Sequence, residues 1–187
     1  MRLSLAATVV AASLALALAG CKDEKTAEAP KPVEPTADSI AHFCNMPVLD
    51  HPGPKGEIFL KGKAEPVWFA SARDTIAFTK LPEEPKEIAA IYVSDMGKAE
   101  GWLKPEPGGW VEAHAAWYVL GSSYDGGMGG REAVSFAKEA DAARFVARFG
   151  GHLARLVDVP EEYVLGPDPG PSEQAADQEH THAHHMP

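Results

Sequence analysis

The sequence has few cysteines, no cluster of basic residues and none of several common catalytic motifs. Two cysteines stand in 187 residues, and 27 acidic against 17 basic side chains give a formal net charge of −10. An acidic chain without clustered Lys and Arg is a poor nucleic-acid binder, because phosphate contact needs such a cluster. The run GGMGG lacks the Gly-Lys-Ser/Thr of a phosphate loop, and no G-x-S-x-G nucleophile elbow occurs.

The N-terminus is typical of an exported protein. Arg2 precedes an apolar run, and the run ends in Leu-Ala-Gly before Cys21. This pattern predicts a signal peptide over residues 1–20. The LAGC ending resembles the bacterial lipoprotein processing motif, in which the cysteine after the cleavage point carries acyl chains. Lys22 follows instead of aspartate, and in lipoproteins that pattern implies the outer membrane; we expect a lipid anchor at the periplasmic face of a bacterial membrane.

Composition divides the remaining chain into three parts. Residues 21–39 are charged, rich in proline and poor in large apolar groups, so they predict a flexible tether. Residues 166–187 are equally poor in apolar groups and predict a disordered tail that contains histidines. Between them, residues 40–165 have the length of one ordinary domain.

The domain contains an internal repeat. PVWFASARDTIAF aligns with AVSFAKEADAARF at a constant offset of 67, and each copy reads as a short strand followed by an amphipathic helix. Apolar β-like runs flank each pair, including residues 88–94 and 152–159. The pattern predicts an α+β fold of two related β-β-α-β halves, over about residues 40–97 and 110–160.

The stretch FCNMPV carries the first candidate site. If Cys21 is acylated, Cys44 has no partner for an internal disulfide; it is then a reactive thiol, a ligand or a buried structural residue. Pro47 favours extended backbone at Met46, and in an extended segment side chains two residues apart share a face. Thiolate and thioether sulfurs on one face are soft donors, and soft donors select Cu(I).

Further candidate donors are spread along the chain. Met96 follows a predicted strand, and Met128 lies in the glycine-rich run; either could instead fill a gap in a core. His51 stands seven residues after Cys44 and is a candidate of lower rank. The tail contains a histidine-rich tract, and such tracts bind metals without selectivity.

Three stretches together resemble one protein family. FCNMPVLDHPGPKGEIFL, IYVSDMGKAEGW and YVLGSSYDGGMGGREAVSFA are similar to segments of the NosL family, over about residues 42–160. That family comprises lipoprotein copper chaperones associated with maturation of nitrous oxide reductase. The family often has glycine where Asn45 stands here, and the histidine tail is not a regular family feature.

The resemblance implies a function and a ligand set. It implies Cu(I) as cargo, apo nitrous oxide reductase and an ABC-type maturation complex as partners, and Cys44, Met46 and Met96 as ligands. It also implies two β-β-α-β halves similar to the organomercurial lyase fold. We therefore expect a copper chaperone and not an enzyme; the alternatives are a thiol-dependent enzyme that uses Cys44 as nucleophile, or a metal-free lipoprotein adaptor.

Overall fold

Seven strands and three short α-helices occur in the part of the chain that the structure describes. The computed structural model describes residues 28–124, 126–127 and 129–167. In chain order the elements are β1 (Gly56–Leu60), β2 (Val67–Phe69), α1 (Ala72–Lys80), β3 (Ile88–Ser94), β4 (Trp110–Glu112), β5 (Trp117–Leu120), β6 (Val134–Phe136), α2 (Glu139–Phe149), β7 (His152–Ala154) and α3 (Glu161–Leu165).

The strands form two antiparallel sheets. The first sheet has the order β2-β1-β3-β4 and the second has the order β6-β5-β7. Glu57 of β1 lies between Trp68 of β2 and Tyr92 of β3, so these three side chains share one face of the first sheet. Ile58 faces the other side, toward α1 and the core.

The α+β prediction with two β-β-α-β halves is confirmed. β1-β2-α1-β3 and β5-β6-α2-β7 follow one another in the same order, and β2 and β6 are separated by the predicted 67 residues. β4 follows the expected end of the first half, yet it pairs with β3, so the first sheet has a fourth strand. The β-like run 152–159 is a strand only to Ala154, because a 3-10 turn (Leu156–Asp158) follows.

Local sequence signals account for the ends of the helices. The Ser71 hydroxyl accepts a hydrogen bond from the amide of Asp74 at 2.9 Å and so caps the first turn of α1. Helix α2 ends at Gly150, whose φ of 70° is a left-handed conformation that glycine adopts without strain.

One core joins the two halves. Ile58 and Phe78 of the first half and Tyr118 and Leu120 of the second belong to the same buried cluster. A second cluster lies under α2 and contains Met96. A third and smaller cluster lies beside β2 and consists of Ala41, Val48 and Ala70, with Cys44 and Trp68 packed against it.

The expected signal peptide, Cys21 and the histidines of the tail lie outside the described residues. Of the expected tether, residues 28–39 are described, and the amide of Val33 donates to Glu57 of the first sheet at 3.0 Å. Among the helices that the structure describes, none is long and apolar enough to cross a membrane.

Candidate metal centre

The stretch around Cys44 forms a small hairpin at the edge of the first sheet. Ile40 and Pro47 form an antiparallel bridge, and the amide of Ala41 donates to the carbonyl of Met46 at 2.9 Å. Ala41 also bridges Trp68 of the edge strand β2. The hairpin is therefore attached to a regular sheet, which fixes the position of its tip.

The tip of the hairpin is a closed turn. Asn45 has a φ of 55°, and its amide donates to the carbonyl of Ala41 at 3.0 Å. The expectation of an extended backbone through residues 44–46 is therefore wrong. Asparagine adopts the left-handed conformation more readily than most residues, because its short polar side chain tolerates it. The turn, and not strand alternation, sets the relation between Cys44 and Met46.

The two sulfur residues of the hairpin differ in their exposure. Cys44 is a free, half-buried cysteine that packs against Ala41, Val48 and Ala70. Met46 is 38% exposed and lies opposite Ala41 in the hairpin. The thiol is thus shielded on one side without being sealed inside the protein, and a thioether within the same turn is open to solvent.

The ring of the neighbouring His42 contacts other parts of the fold. Its Nε2 lies 2.8 Å from a carboxylate oxygen of Glu84. Its ring packs edge-on against Phe69 and Phe78, with centroids 6.0 and 5.3 Å away. These contacts give His42 a structural role beneath the hairpin.

The loop after the hairpin contacts the glycine-rich run. His51 Nδ1 lies 3.3 Å from the carbonyl oxygen of Gly127. A side chain at position 127 would overlap the carbonyl of Pro52, so only glycine permits this close approach. His51 Nε2 is buried and has no hydrogen-bond partner within the described part of the chain. Met128 lies outside the described residues, although its neighbour Gly127 touches the His51 loop.

A buried lysine ties this loop to the cluster behind Cys44. Lys55 is 3% exposed, and its ammonium donates to the carbonyl oxygens of Pro52 and Ala70 at 3.1 Å each. Burial lowers the pKa of Lys55 to about 8, and the nearby Glu132 carboxylate partly opposes that shift. Sequence reasoning missed this contact, since a lysine after Gly-Pro is usually exposed.

Met96 lies in a different part of the fold. It is fully buried, and its cluster includes Val134, Phe136 and Phe145 beneath α2. The adjacent Asp95 side chain is already hydrogen-bonded, since its Oδ1 accepts from the amides of Gly97 and Ala137 at 3.0 Å each. Met96 follows strand β3, as the sequence predicts, and its flexible thioether fills space in the core beneath α2, which is the alternative that the sequence left open.

The arrangement suits a soft ion and not a hard one. Within the described ranges, no three His, Cys, Asp or Glu side chains are grouped as a metal site. The candidate donors that the structure describes in this region are the sulfurs of Cys44 and Met46, and the buried His51 Nε2 is on the next loop. Such a donor set favours monovalent copper over zinc or calcium.

Comparisons with known proteins also indicate a copper-binding protein. The NosL family model matches residues 32–164. The chain is 43% identical over 180 residues to a protein of Achromobacter cycloclastes named copper-binding lipoprotein NosL, covering 96% of this chain and 92% of the relative. It is 35% identical to a protein of the same name from Stutzerimonas stutzeri, covering 82% and 80%.

A solved structure gives the same result. The crystal structure of the copper chaperone NosL from Shewanella denitrificans is 34% identical and superposes with a TM-score of 0.63, covering 71% of this chain and 98% of that one. Fold and relatives therefore define an α+β protein of a copper-binding lipoprotein class. The chain belongs to the NosL family.

Proposed function

We propose that this chain is a membrane-anchored Cu(I) chaperone that supplies copper for the maturation of nitrous oxide reductase. The observation that carries the proposal is the turn at residues 42–45, which holds a free, half-buried thiol next to an exposed thioether. The relatives are named for copper binding, and their resemblance covers nearly the whole chain. Apo nitrous oxide reductase and an ABC-type maturation complex are the proposed partners.

The two sulfurs have different tasks. The Cys44 thiolate brings the negative charge that neutralises Cu(I), while the neutral thioether of Met46 adds a soft bond without releasing a proton. Exposure of Met46 leaves one side of the ion accessible. A partner can then add its own ligand before Cys44 lets go, so the ion passes directly between proteins.

Further donors come from the loops beside the turn or from the second cluster. Gly127, which precedes Met128 in the sequence, contacts His51 in the loop that follows the hairpin. We therefore propose Met128 as the third sulfur and His51 as a flanking group. Met96 was expected as the third ligand, but it would have to leave the core to serve, and we rank it below Met128.

We propose that the chain carries copper and does not catalyse a reaction. A thiol-dependent enzyme needs cationic groups that lower the pKa of its cysteine and a pocket for a substrate. The nearest histidine in sequence, His42, has its Nε2 bonded to Glu84. The names of the relatives likewise describe copper binding and delivery.

The anchor belongs to the same proposal. Acyl chains on Cys21 would hold the domain at the periplasmic face of a bacterial membrane, and Lys22 favours the outer membrane. Several chains give stable attachment, whereas one gives reversible binding. A metal-free adaptor would need the anchor but not the sulfur turn, so copper binding separates the two functions.

The test is an anaerobic competition titration with a chromophoric Cu(I) chelator. Cys44→Ser should weaken Cu(I) binding by at least about 100-fold, because the charged ligand is lost. Cys21→Ser is the matched control; it should detach the protein from membranes and leave the affinity unchanged. Wild-type affinity in Cys44→Ser, with circular dichroism showing an intact fold, would rule out the proposed site.

A further inference from the structure

The segment between the anchor and the domain lies across the first sheet. Tyr92 of β3 donates its hydroxyl to the carbonyl of Pro30 at 2.7 Å. Glu57 of β1 accepts the amide of Val33 at 3.0 Å. Residues 30–34, named here the strap, therefore cross the sheet face opposite α1.

A third contact fixes the end of the strap. One carboxylate oxygen of Glu34 accepts from the amide of Gly108 at 2.7 Å and from the indole Nε1 of Trp110 at 2.9 Å. Both donors lie at the start of β4, on the opposite side of β3 from β1. The strap is thus bound to β1, β3 and the β4 edge, and a carboxylate with two donors makes strong hydrogen bonds.

The sheet face under the strap contains two deeply buried side chains. Glu57 is fully buried and Phe59, two residues along the same face, is 3% exposed. The Glu57 Oε2 atom has no hydrogen-bond partner among the described residues. This face combines the buried carboxyl of Glu57 with the ring of Phe59, which packs on Tyr92. Water would reach these groups if the strap did not cover them.

We propose that the strap is a latch that sets how far the copper turn can travel from the membrane. The inference rests on the proposed lipid anchor at Cys21. With the strap bound, nine residue steps separate Cys21 from Pro30, which at full extension span at most about 30 Å. With the strap released, the steps from Cys21 to Ile40 span at most about 65 Å.

The bound and released states of the strap suit contact with two different partners. In the latched state the copper turn is restricted to a shell near the membrane, where a membrane-embedded partner presents its binding surface. In the released state it reaches a soluble acceptor farther from the membrane. A partner that binds the sheet face or the strap would move the turn from one range to the other without altering the metal ligands.

The test uses the full lipidated chain on phosphatidylethanolamine and phosphatidylglycerol vesicles that contain a dansyl-labelled lipid. Amide hydrogen exchange at Val33 and Gly108 reports the latch, and energy transfer from the tryptophans to the dansyl groups reports height. Glu34→Ala and Tyr92→Phe should each speed exchange at the amide of Gly108 or Val33 by on the order of tenfold and reduce energy transfer. Glu28→Ala changes charge equally just ahead of the strap and should do neither.

The outcomes separate the latch from the anchor. If the wild-type chain floats with the vesicles but its Val33 and Gly108 amides exchange at unprotected rates, the latch is wrong and the anchor stands. If the variants lose protection while energy transfer stays at the wild-type level, the latch does not set the height. If the wild-type chain does not float, the anchor is wrong and the spacing role is wrong with it.

Discussion

At the scale of single residues, Asn45 is the position where backbone and proposed chemistry meet. Its φ of 55° is costly for most side chains, by about 1–2 kcal/mol. Asn45→Gly should therefore keep the turn and the Cu(I) affinity, whereas Asn45→Val should destabilise the turn and weaken Cu(I) binding. Chelator competition together with urea denaturation measures both effects. Equal affinity in the glycine and valine variants would show that the turn does not position the sulfurs.

The two methionines outside the turn make a second test at this scale. Met96→Leu keeps the volume of a core side chain, so it should cost less than about 1.5 kcal/mol of stability and leave Cu(I) affinity unchanged. Met128→Leu should lower the Cu(I) affinity with little effect on stability. Each variant is the control for the other, and chelator titration of both measures their Cu(I) affinities. A loss of Cu(I) affinity in Met96→Leu alone would show that Met96, and not Met128, is the third ligand.

Sequence reasoning predicted the donor atoms of the proposed site, but it did not predict the closed turn that carries two of them. An unpartnered cysteine beside a methionine indicates soft-metal chemistry whatever the backbone does. The closed turn depends on the bond from Asn45 to Ala41, and the burial of Met96 depends on α2, which begins more than forty residues later. Such long-range packing leaves no mark on the residues next to Met96.

At the scale of elements, the two repeated helices differ at their first turns. Helix α1 has Ser71 as a side-chain cap, whereas Lys138, at the equivalent position of α2, makes no capping hydrogen bond. Ser71→Ala should reduce the free energy of unfolding by about 1 kcal/mol, and Lys138→Ser should raise it by a similar or smaller amount. Urea denaturation of the pair measures the difference; the same sign of change in both variants would contradict the capping account.

The order of elements was predictable because the repeat shows it twice. Residues 88–94 were predicted and found as one strand, and both helices begin and end near their sequence signals. The pairing of β4 with β3 was not predictable, since three residues carry no clear periodicity. The strap was not predictable either, because its hydrogen bonds reach side chains on three distant segments of the chain.

At the scale of the whole molecule, two buried carboxyls make stability depend on pH. Burial raises the pKa of Glu57 to about 8 and that of Glu132 to about 7. Between about pH 5 and pH 7 the folded chain therefore holds protons that the unfolded chain has released. The free energy of unfolding should fall as the pH rises through this range.

Two variants identify the source of the slope. Glu57→Gln and Glu132→Gln should each flatten the fall in unfolding free energy between about pH 5 and pH 7. Glu106→Gln, an exposed substitution of the same kind, should leave the slope as it is. Urea denaturation at several pH values measures it, and a slope that survives both buried substitutions would show that other groups cause it. Lys55 acts at higher pH, where its lowered pKa makes stability rise between about pH 8 and pH 10.5.

X-ray absorption at the copper edge of the Cu(I)-loaded protein tests the central claim most directly, since it counts the sulfur atoms bound to the ion. We predict two or three sulfur neighbours at about 2.3 Å in the wild type, with one fewer in Cys44→Ser and one fewer in Met46→Leu. A first shell of nitrogen and oxygen alone, or a sulfur shell that neither substitution changes, would contradict the assignment of the turn as the copper site.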